Sequence, residues 1–444
     1  LENGGIEQSA DNDTLFRRLR ASTRLVPVLL NNAKNINRLR EHSIKQTYWL
    51  KSVKDSSNNI GISHRFTAFR QSNYYIDRNT DYGFYNNTYY FNSFYSADST
   101  GLNQYSNSLE IFNPLKSKGL SFKAGAQYDY IQYLERADEG NYFNGIFHNV
   151  SIYSRFDFNF LNSFQSNASG RLYLSGNNQG NYLLEWNNKK RISDKQKINF
   201  TANAKASSQQ VNFRDIKRLS NHYVWNNSFN NIDVKTLSLS LEKLRKSTDE
   251  YSGFTYTLPK KAFEWKLDYH LIDNWMYYDS TGMPQQGNKG QNCLQNTLYA
   301  HLNLRHFQLD QTLLIQSFSK HLKSITLLPE LVSKSSMYYQ GYAFKRATFV
   351  QIGIDAYVTN SYQARFYNPG NMQFQLSQNK VGAYPYFDVF INAEVKTARI
   401  FFKMEHVNMD VPNEYTYSNY FYNSPFQPSA PRRFRLGFVW KFYY

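Results

Sequence analysis

Cysteine is almost missing from this chain: Cys293 stands alone, which excludes an internal disulfide framework and any Cys-rich zinc site. Long hydrophobic runs are missing too. The longest is about Val26 to Leu30, far short of the ~18 uncharged apolar residues of a membrane helix, so a helical membrane protein is excluded. The apolar clusters of Leu, Ile, Val and Ala from which a soluble enzyme draws its core are absent, and apolar residues are spread thinly along the sequence. No secretory leader is legible either. Leu1-Glu2-Asn3 has neither an initiator methionine nor a charged-then-apolar pattern, so a processed chain or a fragment is expected.

Aromatic residues and positive charge are abundant. The 444 residues include 37 Tyr and 34 Phe and carry a formal charge of +17. This aromatic content argues against disorder. The charge alone would suit nucleic acid, an anionic membrane surface or a basic pore. Its even dispersal argues against nucleic acid, because no single element gathers it.

The organising signal has period two. Leu120, Phe122, Ala124, Ala126, Tyr128 and Tyr130 alternate with Ser121, Lys123, Gly125, Gln127 and Asp129. Phe263, Trp265, Leu267, Tyr269 and Leu271 enclose Glu264, Lys266, Asp268 and His270. A strand puts successive side chains on opposite faces, and a helix cannot use this spacing. Many segments exceed the ~9–11 residues with which a tilted strand crosses a bilayer. Short turns such as Ser193-Asp194 alternate with longer pieces such as 279–290 and 408–431. The expectation is an all-β transmembrane antiparallel meander β-barrel of roughly 16–20 strands. Its candidate strands run from 41–53 to 432–444 and include 84–97 and 217–229. Residues 1–40, polar and basic, are expected to form a loop segment leading into a barrel over 41–444.

The C-terminus carries the sharpest pattern. Phe434, Leu436, Phe438, Trp440, Phe442 and Tyr444 share one face, expected to meet lipid on a closing strand. Closure matters because an open sheet edge in lipid leaves backbone groups unsatisfied. The stretch 384–393, Tyr-Pro-Tyr-Phe-Asp-Val-Phe-Ile-Asn-Ala, its continuation 398–408 and the ending 431–442, Pro-Arg-Arg-Phe-Arg-Leu-Gly-Phe-Val-Trp-Lys-Phe, closely resemble the outer-membrane β-barrel porin family of Bacteroidota. The opening Glu2-Asn3-Gly4-Gly5-Ile6 is similar to a segment that family members carry internally. The resemblance implies a large barrel in the bacterial outer membrane, with several N-terminal strands absent here. It supplies no catalytic residues.

Chemistry is sparse. The sequence holds no His-Glu-x-x-His, no Gly-x-Ser-x-Gly and no phosphate-cradling glycine loop. His301 and His306 fall on opposite faces of a strand, a poor geometry for one metal. No enzyme activity, cofactor or metal is expected. The polar face does carry Lys123, Arg155, Lys197, Lys205, Lys266, Arg399, Lys403, Arg433, Arg435 and Lys441. Pointed inward, these would make a basic, anion-preferring lumen. Alternatively they pair with Asp129, Asp157, Glu264, Asp268, Asp388 and Glu405 and merely fill the interior.

Two functions fit. One is a porin-like passive channel for small solutes. The other is a non-catalytic subunit of a multi-protein outer-membrane complex, a secretion translocon or barrel-assembly machinery, with Tyr89-Tyr90-Phe91 and Asn419-Tyr420-Phe421-Tyr422 as candidate contacts. Expected partners are outer-membrane lipid and lipopolysaccharide, with outer-membrane or periplasmic proteins in the second case.

Overall fold

The structure, a computed structural model, describes residues 29–30, 32–50, 60–78, 84–85, 89–113, 120–137, 140–160, 164–245, 261–409, 422–430, 432–440 and 442. Seventeen long strands form one antiparallel meander in which each strand pairs with the next in sequence. The first eight are β1 (Ala33–Trp49), β2 (Gly61–Asp77), β3 (Ser96–Asn113), β4 (Ser121–Arg136), β5 (Tyr142–Phe160), β6 (Phe164–Gly176), β7 (Tyr182–Ser193) and β8 (Ile198–Gln209). Next come β9 (Ile232–Leu244), β10 (Lys261–Asp273), β11 (Gln291–Leu304), β12 (Phe307–Phe318) and β13 (Leu331–Ala343). The wall ends with β14 (Thr348–Thr359), β15 (Tyr386–Val395), β16 (Ala398–Glu405) and β17 (Arg433–Trp440).

Register carries the alternation across the whole sheet. Leu237 lies opposite Ala204 on one side and Tyr269 on the other, and Tyr269 opposite Leu294, so one apolar face is continuous through four strands. Ile354 opposite Met337 and Val389, and Phe402 opposite Ile391 and Leu436, extend it to the last strand. That face is exposed: Leu237, Leu436 and Phe438 each show more than half their surface. An exposed apolar band wrapped around a polar interior inverts a soluble protein and suits lipid outside.

The connections differ in length between the two ends. At one end most are short, such as 305–306, 344–347 and 396–397, though 50–60 and 245–260 are longer. At the other end 137–141 and 177–181 are short, and the rest are long: 78–95, 210–231, 274–290, 319–330, 360–385 and 406–432. Among the described residues two helices occur, α1 (Phe213–Ile216) and α2 (Lys320–Thr326), both within these long connections. By the alternation of direction β1 and β17 run parallel to each other, and among the described residues neither has a partner on its outer edge.

Three expectations shift. β1 begins at Ala33, inside the segment expected as a loop. Lys34, Arg38 and Arg40 disguise its start, yet its register with β2 is unbroken from Ala33 opposite Asp77 to Trp49 opposite Gly61. The segment 84–97 is connection up to Ser96, and 217–229 holds only two three-residue strands, Lys217–Leu219 and Val224–Asn226, paired with each other. Tyr85, Tyr223 and Trp225 of these segments pack together inside the lumen, while Tyr90, Phe94 and Tyr95 are exposed.

Candidate functional site

The long connections do not stand clear of the wall. They fold inward against lumen-facing side chains and lock together. Phe213 of α1 stacks on Tyr133 and Phe147, which project inward from β4 and β5, with ring centroids 5.4 and 4.4 Å away. Asn35 of β1 donates to Tyr367 Oη and Pro369 O of the 360–385 connection at 3.4 Å.

At the centre is an ion pair with no solvent exposure on either side chain. Arg218 Nη1 donates to Glu135 Oε2 at 2.9 Å and to Thr100 Oγ1 at 2.6 Å, while Nη2 reaches Gly370 O at 3.3 Å. One guanidinium thus ties β3, β4 and two connections together. Burial alone would push the Arg218 guanidinium down, but the Glu135 and Asp98 carboxylates hold it above its ordinary value. Asn221 makes the second tie. Its Nδ2 donates to Asn92 O at 2.7 Å and Ser96 Oγ at 2.8 Å, its Oδ1 accepts from Phe91 and Asn92 N–H, and its own N–H reaches Asp98 Oδ1 at 2.8 Å. Beside it His222 stacks on Tyr85 at 3.8 Å and bonds Ser96 Oγ at 2.8 Å. Tyr85 and Tyr75 share a hydroxyl contact of 2.6 Å.

The remaining connections complete the lock. Asn371 Nδ2 donates to Gly282 O at 2.8 Å, Gln375 Nε2 to Ser280 O at 3.0 Å, and Asn368 bonds the Tyr223 hydroxyl. Burial pushes the Tyr223 phenol up to about 12, so it stays protonated at any ordinary pH. Tyr75, Tyr85, Tyr223, Trp225, Tyr278 and Leu30 form one buried cluster. α2 joins through Leu322 and Ile325, packed with Cys293. Cys293 is buried and free.

Along the wall lie the basic residues that the alternation picks out. Lys123 meets Glu110 at 2.9 Å, Arg155 meets Asp157 at 2.9 Å, Lys205 meets Glu185 at 3.0 Å and Lys266 meets Asp268 at 2.9 Å. Lys403 bridges Asp355 and Asp388 at 3.0 and 2.9 Å. Arg399 meets Glu394 at 3.2 Å, and Arg433 and Arg435 share Glu405 at 2.9 and 2.7 Å. Lys197 sits in the β7–β8 turn and donates to Arg245 O at 3.4 Å. Lys441 lies outside the described residues. Of the six carboxylates named as counter-charges, Glu264 meets Lys261 instead, and Asp129 is held by Ser106, Gln104 and Gln127. Eight of these ten basic residues therefore sit in local ion pairs, while Arg171, also lumen-facing, donates to the neutral Gln127 and Ser151 at 3.1 Å.

Phe434, Leu436, Phe438, Trp440 and Phe442 are exposed on the outward face, and Tyr444 lies outside the described residues. Tyr89 turns inward and meets His222 edge-on at 5.3 Å, while Tyr90 is exposed. Residues 419–421 lie outside the described residues. No group of three metal-ligating side chains occurs among the described residues. His301 and His406 are instead bound locally, by Asp310 at 2.6 Å and by Tyr384 at 2.7 Å.

Arg218 and Asn221 are hidden from the alternation because 217–229 resembles a wall strand in composition. A signal was present: Ser220-Asn221-His222 breaks the alternation with three consecutive polar residues.

Solved structures share this fold. A copper transporter, OprC, superposes with a TM-score of 0.59 at 10% identity, over 89% of this chain and 65% of its own. The ferric enterobactin receptor of Pseudomonas aeruginosa gives 0.56 at 10%, over 84% and 56%. The ferric-catecholate import receptor Fiu of E. coli K12 gives 0.56 at 12%, over 98% and 68%. The chain thus spans about 56–68% of the length of these structures. No curated protein sequence matches it. The family described as "Putative porin" matches from residue 1 to residue 444. The chain belongs to that family, and its place is the bacterial outer membrane.

Proposed function

We propose that this protein is a non-catalytic, passive pathway for small solutes whose passage is set by the loop plug at one mouth of the lumen. The observation that carries this reading is the Arg218–Glu135 pair, which fastens in-folded connections to the wall. Selectivity then comes chiefly from the width and lining of the gaps around the plug. Paired lumen charges leave only a weak preference for anions, because most of these lysines and arginines are screened by a neighbouring carboxylate, with Arg433 and Arg435 sharing Glu405. Reversal potentials across a salt gradient, together with liposome swelling in neutral sugars of rising size, test this. Small cut-off with weak charge selectivity supports it; a wide, strongly anion-selective pore contradicts it.

A second reading, a subunit of a larger outer-membrane assembly, is favoured by β1. By register with β2 its outward face carries Lys34, Arg38, Arg40 and His42, all opposite outward-facing residues. Basic side chains facing mid-bilayer lipid cost about 2–4 kcal/mol each, and the outer edge of β1 is unpaired among the described residues. Protein covering this face would relieve both costs. Stoichiometric partners retained through mild-detergent purification would support this reading, and a monodisperse lone barrel would sink it.

A further inference from the structure

On the lumen side of the plug, wall residues of β2, β3 and β4 and three in-folded connections enclose a cavity of about 460 Å³. That lies within the range of small-molecule sites, about 300–1,000 Å³. Two guanidiniums line it, Arg214 of α1 and Arg365 of the 360–385 connection. Arg365 Nη2 donates to Ile325 O at 2.6 Å, while its buried Nε has no hydrogen-bond partner among the described residues. Arg214 Nη2 meets a neutral acceptor, the Asn73 amide oxygen, at 2.6 Å once that amide is turned to satisfy both groups. The one carboxylate in the lining, Asp215, is engaged by the Tyr278 hydroxyl. The cavity therefore holds two cations against one already occupied anion.

Arg218, Arg399, Arg433 and Arg435 each meet a carboxylate at ion-pair distance. Among the described residues Arg214 and Arg365 do not, and burial keeps both below their ordinary pKa; Arg218 adds repulsion on Arg214, which Glu135 offsets in part. An uncompensated cation in a partly desolvated site is costly, and an anion of the right reach removes the cost. The walls add flat apolar surface: Tyr277 and Phe374 line the cavity, and Phe374 is 44% exposed although it lies within the lumen. Gln71, Asn212 and Gln373 supply neutral amides around them.

We propose that this cavity binds a small aromatic carboxylate, its carboxylate paired with Arg214 and Arg365 and its ring against Tyr277 and Phe374. The proposal rests on the reading of the lumen as a solute path, since it makes the cavity a station on that path.

Titration calorimetry on the full-length protein in mild detergent tests it, with naphthalene-2-carboxylate as probe and naphthalene-2-carboxamide and butyrate as controls. Saturable binding of the aromatic acid is expected, with both controls weaker by about tenfold or more, as for loss of one charge-assisted pair or one ring contact. Arg365→Gln and Arg214→Gln are each expected to lose about tenfold in affinity, while Lys205→Gln on the distant wall changes nothing. Equal binding of acid and amide, equal binding of butyrate, or no saturable heat would overturn the proposal, and the wild-type comparison decides even if a variant misfolds. Calorimetry needs no conduction. Binding without conductance would leave this site standing and sink the passive-path reading, and conductance without binding would do the reverse.

Discussion

At the scale of single residues, the plug depends on a few fully buried polar groups. Removing one partner of a buried pair costs about 3–5 kcal/mol, because the other charge stays buried and uncompensated. Arg218→Ala should therefore release the 210–231 connection, while the wall, held by its own ladder, stays assembled. Limited proteolysis is expected to nick the variant within 210–231 and to leave the wild type intact. Acid should act on a different connection. Burial alone would raise the Asp279 carboxyl, but Thr281, Gln285 and the Met283 N–H hold it below its ordinary value of 3.8. A depressed carboxyl contributes stability above 3.8 and loses it as pH falls through the lower folded value. Exchange of amides in 274–290 should accelerate below that pH in the wild type and show no such step in Asp279→Asn. The alternation made the lumen charges and the lipid-facing aromatics legible. It could not reveal Arg218 meeting Glu135, since the pair spans 83 positions and sits where one connection crosses the lumen.

At the scale of elements, tight turns fix the wall and cross-loop ties fix the plug. Gly176 ends β6 at φ +94°, and a Cβ there would sit 1.7 Å from His148 O. Gly180, four residues on, has φ +81° and open space around it. Gly180→Ala should cost about 1 kcal/mol, the ordinary penalty of a left-handed non-glycine. Gly176→Ala should cost clearly more and reduce refolding yield into detergent, read by heat-modifiable gel migration. Asn221→Ala removes the tie to 91–96 and should speed amide exchange of Phe91 and Asn92 severalfold, with the β2–β3 ladder unchanged. The alternations at Phe122–Tyr130 and Phe263–Leu271 fall within β4 and β10, because each strand has one face in lipid and one in the lumen. The signal failed where that contrast disappears. The outward face of β1 is basic, so its first residues read as a loop. Aromatic residues of the connections, among them Tyr85, Tyr223 and Trp225 in the lumen, mimic the wall's pattern, so these segments read as wall.

At the scale of the whole molecule, an apolar outer face, short turns at one end and in-folded connections at the other describe a barrel wall whose mouth is obstructed by its own loops. The direct measurement is single-channel conductance of the full-length protein in a planar bilayer, wild type against Arg218→Ala combined with Asn221→Ala. The account predicts small, steady wild-type steps and severalfold larger, noisier steps once the two ties are cut. Identical conductance in both proteins would contradict it, because the plug would then not control the path.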